Sequence, residues 1–290
     1  GSLAGAPRPP LSAAEYERRV LGAWLGQIVG TIVGWPYEGK VAAAAPVTGY
    51  AQPYSYAPVD DDYYYEIVAL RAFERHGPAL TVEQLGEQWK QDQAGSWGSS
   101  EQARLALERG VRAPATGHPR HNRWFHTIGP QFSADVYGML APGHLNRAGE
   151  LARRFAHVNG YAEGADGAVF VAGMVSEAFF ETDPRTVVRR AARLIHPESN
   201  YRRSLDQMIR RAEAGVPWRR IARELEDTWR PEYPALNNAV PNGALVALGL
   251  WFGEGDFLKT VNVIVQAADY SDADCNAANA GAVIGAMRGP

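Results

Sequence analysis

Two stretches near opposite ends of the chain place a small residue at every fourth position. One holds Gly22, Gly26, Gly30 and Gly34, the other Ala277, Gly281 and Gly285. Four-residue spacing puts such residues on one face of a helix. Glycine inside a helix costs about 1 kcal/mol relative to alanine. A repeat of it is tolerated where a second helix must approach to backbone distance, or where the helix breaks and exposes its backbone. The second stretch carries a further demand. Asp272 and Asp274 stand just before a run of small residues, 277–286, that reads as a buried helix. Bare carboxylates against tightly packed helices need a counter-charge. A divalent metal ion supplies one to several carboxylates at once.

The remaining chain reads as helices. Ser12 and Glu15 have the spacing of a capping box, and Tyr16, Val20, Trp24 and Ile28 then share one face. Pro36 ends this element by holding Trp35 extended, which leaves Glu38 on a loop. Residues 40–58 lack periodicity and form a long irregular loop, a kind that is often functional. A helix is predicted over 63–76. Thr81 and Gln84 form a second capping box, opening a helix to about 93. Further helices are predicted over 100–109, 132–140, 146–158, 165–180, 183–195, 200–214, 218–228, 243–253 and 256–268. Asp183 followed by Pro184, and Asp256, mark two of the starts. Strand and turn nowhere alternate. The expected fold is all-α, a single domain over 12–290 behind a flexible lead-in, 1–11.

Composition narrows the function classes. With 290 residues, 46% of them hydrophobic, the chain can bury a large core. A net charge of −3 provides no basic field for nucleic acid or an anionic membrane. No hydrophobic run has transmembrane length, and no signal peptide is evident. The one cysteine, Cys275, leaves no intrachain disulfide and fits a reducing compartment. A cytoplasmic monomer is the expectation.

Asp60, Asp61 and Asp62 form a second acidic cluster. One reading is a solvated loop that caps the helix after it, since aspartate is favoured at helix starts. The other is a ligand set. Both clusters share one layout: loop, carboxylates, apolar helix. Converging, they would offer enough oxygens for two hard divalent ions. Such a pair can orient a water and polarise a substrate oxygen. His118, His121 and His126 lie in the proline-containing 111–127 loop without the helical spacing of a zinc motif. They read as solvent-facing loop residues.

Three motifs in order resemble the ADP-ribosylglycohydrolase family (dinitrogenase reductase-activating glycohydrolase-like). They are Gly30, Gly34 and Glu38; then Asp60, Asp61 and Asp62; then Asp272, Asp274, Cys275 and Asn276 with the small-residue helix. The resemblance implies a binuclear magnesium site, or a manganese one. Asp60, Asp61 and Asp62 would ligate from one side and Asp272 and Asp274 from the other. Cys275 is counted with them, as a ligand or as a small buried residue beside them. Glu38 and Asp61 would be the catalytic carboxylates. Glu38 would orient or deprotonate the attacking water, or hold a ribose hydroxyl. The bond cut would be an N- or O-ribosyl bond at ribose C1 of an ADP-ribosyl substrate, through an oxocarbenium-like transition state.

Substrate contacts are assigned on the same resemblance to Gly129, Gln131, Ser133, Asp135 and Asn276. Trp35 and Tyr37, beside Glu38, are chosen as a stacking wall, and other loop aromatics such as Trp97 and Trp124 are left to packing. The chain also departs from the family pattern. Thr31 replaces an aspartate, Asp60 a threonine, and Cys275 a threonine or serine. Around Ile128, Gly129 and Ser133 the family's Asn-Gly start and nucleotide-binding arginine are missing. These departures keep two alternatives open. One is the same chemistry on a small NAD-derived or nucleoside intermediate. The other is a non-catalytic ADP-ribose-binding relative.

Overall fold

In the computed structural model, which describes residues 9–92 and 95–290, the chain begins with α1 (Ala13–Gly34) and a 3₁₀ turn over Trp35–Tyr37. After the 40–58 loop come α2 (Asp61–His76), α3 (Val82–Gln91) and α4 (Gly98–Glu108). Two short helices, α5 (Gly129–Phe132) and α6 (Asp135–Met139), lead to α7 (Leu145–Ala156), α8 (Ala162–Ala178) and α9 (Pro184–Ala192). The chain closes with α10 (Asn200–Glu213), α11 (Trp218–Trp229), α12 (Ala239–Gly253), α13 (Phe257–Val265) and α14 (Ala273–Arg288). Among the described residues there is no strand, only an isolated bridge between Thr127 and Asn238. The fold is all-α and forms one compact domain. Residues 1–8 of the expected lead-in lie outside the described residues.

The glycine repeat serves one helix pair. α1 and α14 run antiparallel, and their small residues meet rung by rung. A methyl on Gly22 would lie 2.4 Å from the Gly285 carbonyl oxygen, and one on Gly26 would lie 2.0 Å from that of Gly281. On Gly30 it would meet Ala277 O at 2.2 Å, and on Gly34 the Cα of Asp274 at 2.5 Å. Every obstacle is backbone, so no side chain can turn aside to make room. The helix does not break within the repeat. This contact brings the first turn of α14 against the last turn of α1, at opposite ends of the sequence.

Around this pair the helices divide by pattern. α8 touches α5, α6, α7, α9, α10, α12 and α14. Its Phe170, Val171 and Met174 are fully enclosed, each contributing about 1.5–3 kcal/mol of burial. α12 and α14 are likewise apolar or small on all sides and buried nearly throughout. Peripheral helices are amphipathic: α11 buries Ile221, Ala222, Leu225 and Trp229 on one stripe. No helix among the described residues is long and apolar enough to cross a membrane.

Several local expectations are corrected. Ser12 does accept from the Glu15 amide at 3.1 Å, but the Glu15 carboxylate turns to Arg18 and Arg19, so the first capping box is half formed. The Thr81–Gln84 box is complete. Trp35 is helical, not extended; Pro36 lacks an N–H to continue the ladder, and the chain tightens into the 3₁₀ turn instead. The helix predicted over 132–140 is two pieces. Ser133 donates its hydroxyl to the Gly129 carbonyl at 2.9 Å, closing the first turn before α6 begins.

Candidate metal centre

Helix starts position the acidic residues. Asp60 is the N-cap of α2, its side chain accepting from the Asp62 amide at 3.1 Å. The capping reading of this cluster is therefore realised, but it accounts for one carboxylate of three. Asp61 and Asp62 occupy the first turn of α2, and Asp272 and Asp274 the cap and first turn of α14. Helix N-termini present unpaired amides and partial positive charge, which favours carboxylates there. Glu38, exposed, follows the 3₁₀ turn at the end of α1. The 40–58 loop is held on α13 and the segment after it: Asn262 donates to the Val47 carbonyl at 2.8 Å, and the Ala42 amide donates to Asp269 at 2.8 Å. That anchoring returns the chain to Asp60.

Ligating atoms converge within each cluster. One oxygen from each of Asp60, Asp61 and Asp62 lies within 4.8 Å of the others, and so do the ligating atoms of Asp272, Asp274 and Cys275. The clusters also act on each other. Burial raises the pKa of Asp61 well above the usual range, and the charges of Asp60 and Asp272 raise it further. Asp62 is raised by burial and then by Asp60 and Asp61. Asp274 is raised by burial, Asp272 and Asp62. Asp272 is pushed up to about 6, mainly by burial. Glu38 adds its charge to Asp60, Asp61, Asp272 and Asp274.

The residues fit a divalent ion. The Oδ1 atoms of Asp62 and Asp272 are buried without a hydrogen-bond partner among the described residues. A buried carboxylate oxygen in that position is costly unless a cation faces it. No lysine, arginine or histidine among the described residues lines the cavity above these groups, so the protein itself supplies no counter-ion there. An all-oxygen carboxylate set suits hard ions such as magnesium or manganese.

Cys275 is buried at 5% exposure. Burial, then Asp272 and Asp62, hold its thiol well above the usual range. In this setting the protonated thiol stands beside Asp62 and Asp272 and offsets part of the rise in their pKa. Its amide donates to Asp274 Oδ1 at 2.9 Å.

The cavity, about 370 Å³, is lined by Trp35, Glu38, Asp60, Asp61, Asp272 and Asp274 among others. A larger cleft of about 660 Å³ lies between α2, α3 and the end of α4. It holds none of the clustered carboxylates, so the smaller cavity is the candidate site. Of the expected substrate contacts, Trp35 and Gly129 line it. The others lie elsewhere. Tyr37 is half-buried and packs on the core. Gln131 is buried, accepting from the Tyr201 hydroxyl at 2.8 Å. Ser133 bonds back to Gly129, and Asn276 donates to Asn242 Oδ1 at 2.7 Å. Asp135 is wholly buried beside Glu66, accepts from Asn279 at 2.8 Å, and is pushed up to about 8 by burial. Gln131, Asn276 and Asp135 face inward because helices remote in sequence supply their partners, whereas Ser133 turns back on its own helical turn.

Other residues enter that sequence reasoning passed over. Thr31, read as a departure, donates its hydroxyl to Asp62 Oδ2 at 3.0 Å. Gln27, one turn earlier, donates to the Asp62 carbonyl at 2.8 Å. Two polar residues four apart on the small-residue side of α1 were the available signal. Asn242 accepts from the Asp272 amide at 3.2 Å. Trp97, Ser99 and Asn237 line the cavity from loops and the start of α4, and no local pattern marks them.

Known proteins bear on the site at this point. A family model described as ADP-ribosylglycohydrolase matches residues 12–290. An "ADP-ribosylglycohydrolase-related protein complex" among solved structures superposes with a TM-score of 0.66 at 20% identity, over 95% of this chain and 89% of that chain. At that identity the likeness is one of fold. No curated protein sequence matches.

Proposed function

Because the chain belongs to the ADP-ribosylglycohydrolase family, whose members hydrolyse glycosidic bonds, we propose that it is a divalent-metal-dependent hydrolase cutting an N- or O-ribosyl bond at ribose C1. One observation carries this reading: among the described residues, carboxylate oxygens of Asp62 and Asp272 are buried and unpartnered, on two helix starts that face each other, and no basic side chain lines the cavity. Asp60, Asp61, Asp62, Asp272 and Asp274 would hold two ions, magnesium or manganese. Bound there, such ions supply Lewis-acid chemistry to a ribose oxygen and acidify a water. Thr31 and Gln27 orient Asp62, and Asn242 holds the start of α14.

Glu38 is the exposed carboxylate beside this centre and the candidate base. It orients the attacking water and takes its proton as the water oxygen bonds to C1. The bond from C1 to the leaving nitrogen or oxygen breaks, and the leaving atom keeps the electron pair. The proton then passes to the leaving group. Asp61, between Asp60 and Asp272 in the electrostatics of the site, shares the catalytic position as a ligand. A cytoplasmic monomer that binds no nucleic acid completes the reading, supported by the buried free thiol and the net charge of −3.

The test is ribose release from a ribosyl panel with magnesium or manganese present. Glu38→Gln should lower kcat by about 10²–10⁴-fold with metal affinity retained. Ligand binding without turnover, unaffected by Glu38→Gln, would instead assign a binding role. The family name implies ADP-ribosyl substrates.

A further inference from the structure

A second group of buried carboxyls lies behind the metal centre. Glu66 stands one helical turn after Asp62 on α2, and Asp135 opens α6. Both are 0% exposed, as are Gln27 on α1 and Asn279 on α14. None of the four lines the cavity. Neither carboxyl is paired with a basic side chain among the described residues. Two enclosed carboxyls without a counter-charge are costly unless a proton or hydrogen bonds relieve them. Four side-chain oxygens of this group lack a hydrogen-bond partner among the described residues: both of Glu66, Asp135 Oδ1 and Gln27 Oε1.

The side-chain donors of the group share one atom. Asn279 donates to Asp135 Oδ2 at 2.8 Å, and Gln27 Nε2 reaches the same oxygen at 3.5 Å. Gln27 Nε2 also donates to the Asp62 carbonyl at 2.8 Å. Behind Asn279 the bonds run on, from Gln131 Nε2 to Asn279 Oδ1 at 3.4 Å and from the Tyr201 hydroxyl to Gln131 Oε1 at 2.8 Å. Asp135 is therefore the acceptor common to α1 and α14, and Gln27 joins it to the turn of α2 that carries Asp62. α2 and α14 carry the clustered carboxylates, and α1 packs against both. Burial raises the pKa of both carboxyls; the contact between them raises Glu66 further and lowers Asp135. The proton of the pair belongs on Glu66, and Asp135 Oδ1 is the oxygen left to receive it.

We infer that Glu66 and Asp135 are a positioning pair for the metal centre: Glu66, as the acid, donates to Asp135, and Asp135 holds Gln27 and Asn279 so that Asp62 and the start of α14 keep their places. The inference rests on the metal-binding part of the reading above and adds residues that touch neither ion nor substrate. Groups that orient a metal ligand from behind are worth about 10–100-fold in metal affinity. Gln27 shows why the pair is needed. Its Oε1 has no partner, so Asp135 Oδ2 is the one other side-chain atom that fixes its carboxamide while it serves Asp62.

The experiment measures manganese affinity of the folded chain by calorimetry, with melts of chelator-treated protein alongside. Asp135→Asn should weaken manganese binding by about tenfold. Gln27→Leu should do the same, and the two together should weaken it little more than Asp135→Asn alone, whereas independent effects would multiply to about a hundredfold. Glu66→Gln keeps the shape and a donor and should stay within about twofold of the parent, while Glu66→Met removes the donor and should lose about tenfold. The two Glu66 variants carry the test if Asp135→Asn does not fold. Parent-like manganese affinity in Asp135→Asn and Glu66→Met, with Tm alone lowered, would overturn the assignment. So would a hundredfold loss in the double variant, or equal losses for Glu66→Gln and Glu66→Met. Each of these results leaves the metal centre standing. A parent chain that binds no manganese would overturn the metal centre and the pair's role together.

Discussion

Replacing Gly26 with alanine tests the central packing argument most directly. The added methyl would lie 2.0 Å from the Gly281 carbonyl oxygen and 2.7 Å from its carbon. Ordinary contact is about 3.5 Å, so α1 and α14 must separate locally by roughly 1–1.5 Å. That strain alone costs about 1–3 kcal/mol. The neighbouring rungs, Gly22 with Gly285 and Gly30 with Ala277, open with it. A gap of about 0.5–1 Å forfeits a quarter to a half of each contact's attraction. Alanine's better helix propensity returns about 1 kcal/mol. The net loss should be about 2–4 kcal/mol, lowering Tm by roughly 5–10 °C for a chain of this size. Gly149→Ala is the control. Its methyl would meet Val169 Cγ1 and Leu194 Cδ1 at 3.4 and 3.5 Å, side-chain atoms at near-ordinary distance. That variant should match or slightly exceed the parent. Calorimetric melts and urea midpoints read the stability. Manganese titration reads the site, because the same helix pair sets the first turn of α14 and Asp274. An unchanged Tm for Gly26→Ala, or an equal loss for Gly149→Ala, would refute the reasoning.

Other outcomes follow from the site. Asp62→Asn removes a buried charge next to Asp60 and Asp61; it should raise the Tm of chelator-treated protein and weaken magnesium binding at least tenfold, about 1.4 kcal/mol, read by melts with and without metal. Asp272, pushed up to about 6, contributes stability that is fully present below its unfolded pKa near 4 and is lost as pH rises through 6. Chelated protein should therefore be less stable to urea at pH 8 than at pH 5, by about 1.4 kcal/mol from this group, and saturating magnesium should remove the difference. Cys275→Ser keeps a small protic side chain beside Asp62 and Asp272 and should cost under about 1 kcal/mol, whereas Cys275→Val should cost about 1–3 kcal/mol, measured by the same melts.

Local chemistry made much of this protein legible from its residues. Helix starts at Thr81, Asp183 and Asp256 are decided within four residues, and the structure bears them out. The clustering of Asp60, Asp61 and Asp62, and of Asp272 and Asp274, was visible because unpaired carboxylates beside apolar helices need an explanation wherever they occur. Glu38, which lines the cavity, was singled out through its motif. Where local reading failed, a longer-range partner had prevailed. The Glu15 carboxylate followed Arg18 and Arg19 and left the helix cap. Gln131 and Asp135 were assigned as substrate contacts through the family resemblance, but Tyr201 from α10 and Asn279 from α14 claim them for the interior.

The four-residue repeats marked, from the residues alone, two helical stretches with one face bare enough for backbone contact, and left open whether the first would break there instead. They did not name the partner. Only the tertiary structure decided that the two repeats meet each other, antiparallel, so that the end of α1 lies on the beginning of α14. It also decided which neighbours share the cavity: Thr31 and Gln27 behind Asp62, Trp97 and Ser99 on the wall. The physical reason is range. Spacing and capping act within a few residues and are written locally. A site is made by surfaces that come together when the core closes, and its lining depends on which distant backbone arrives there.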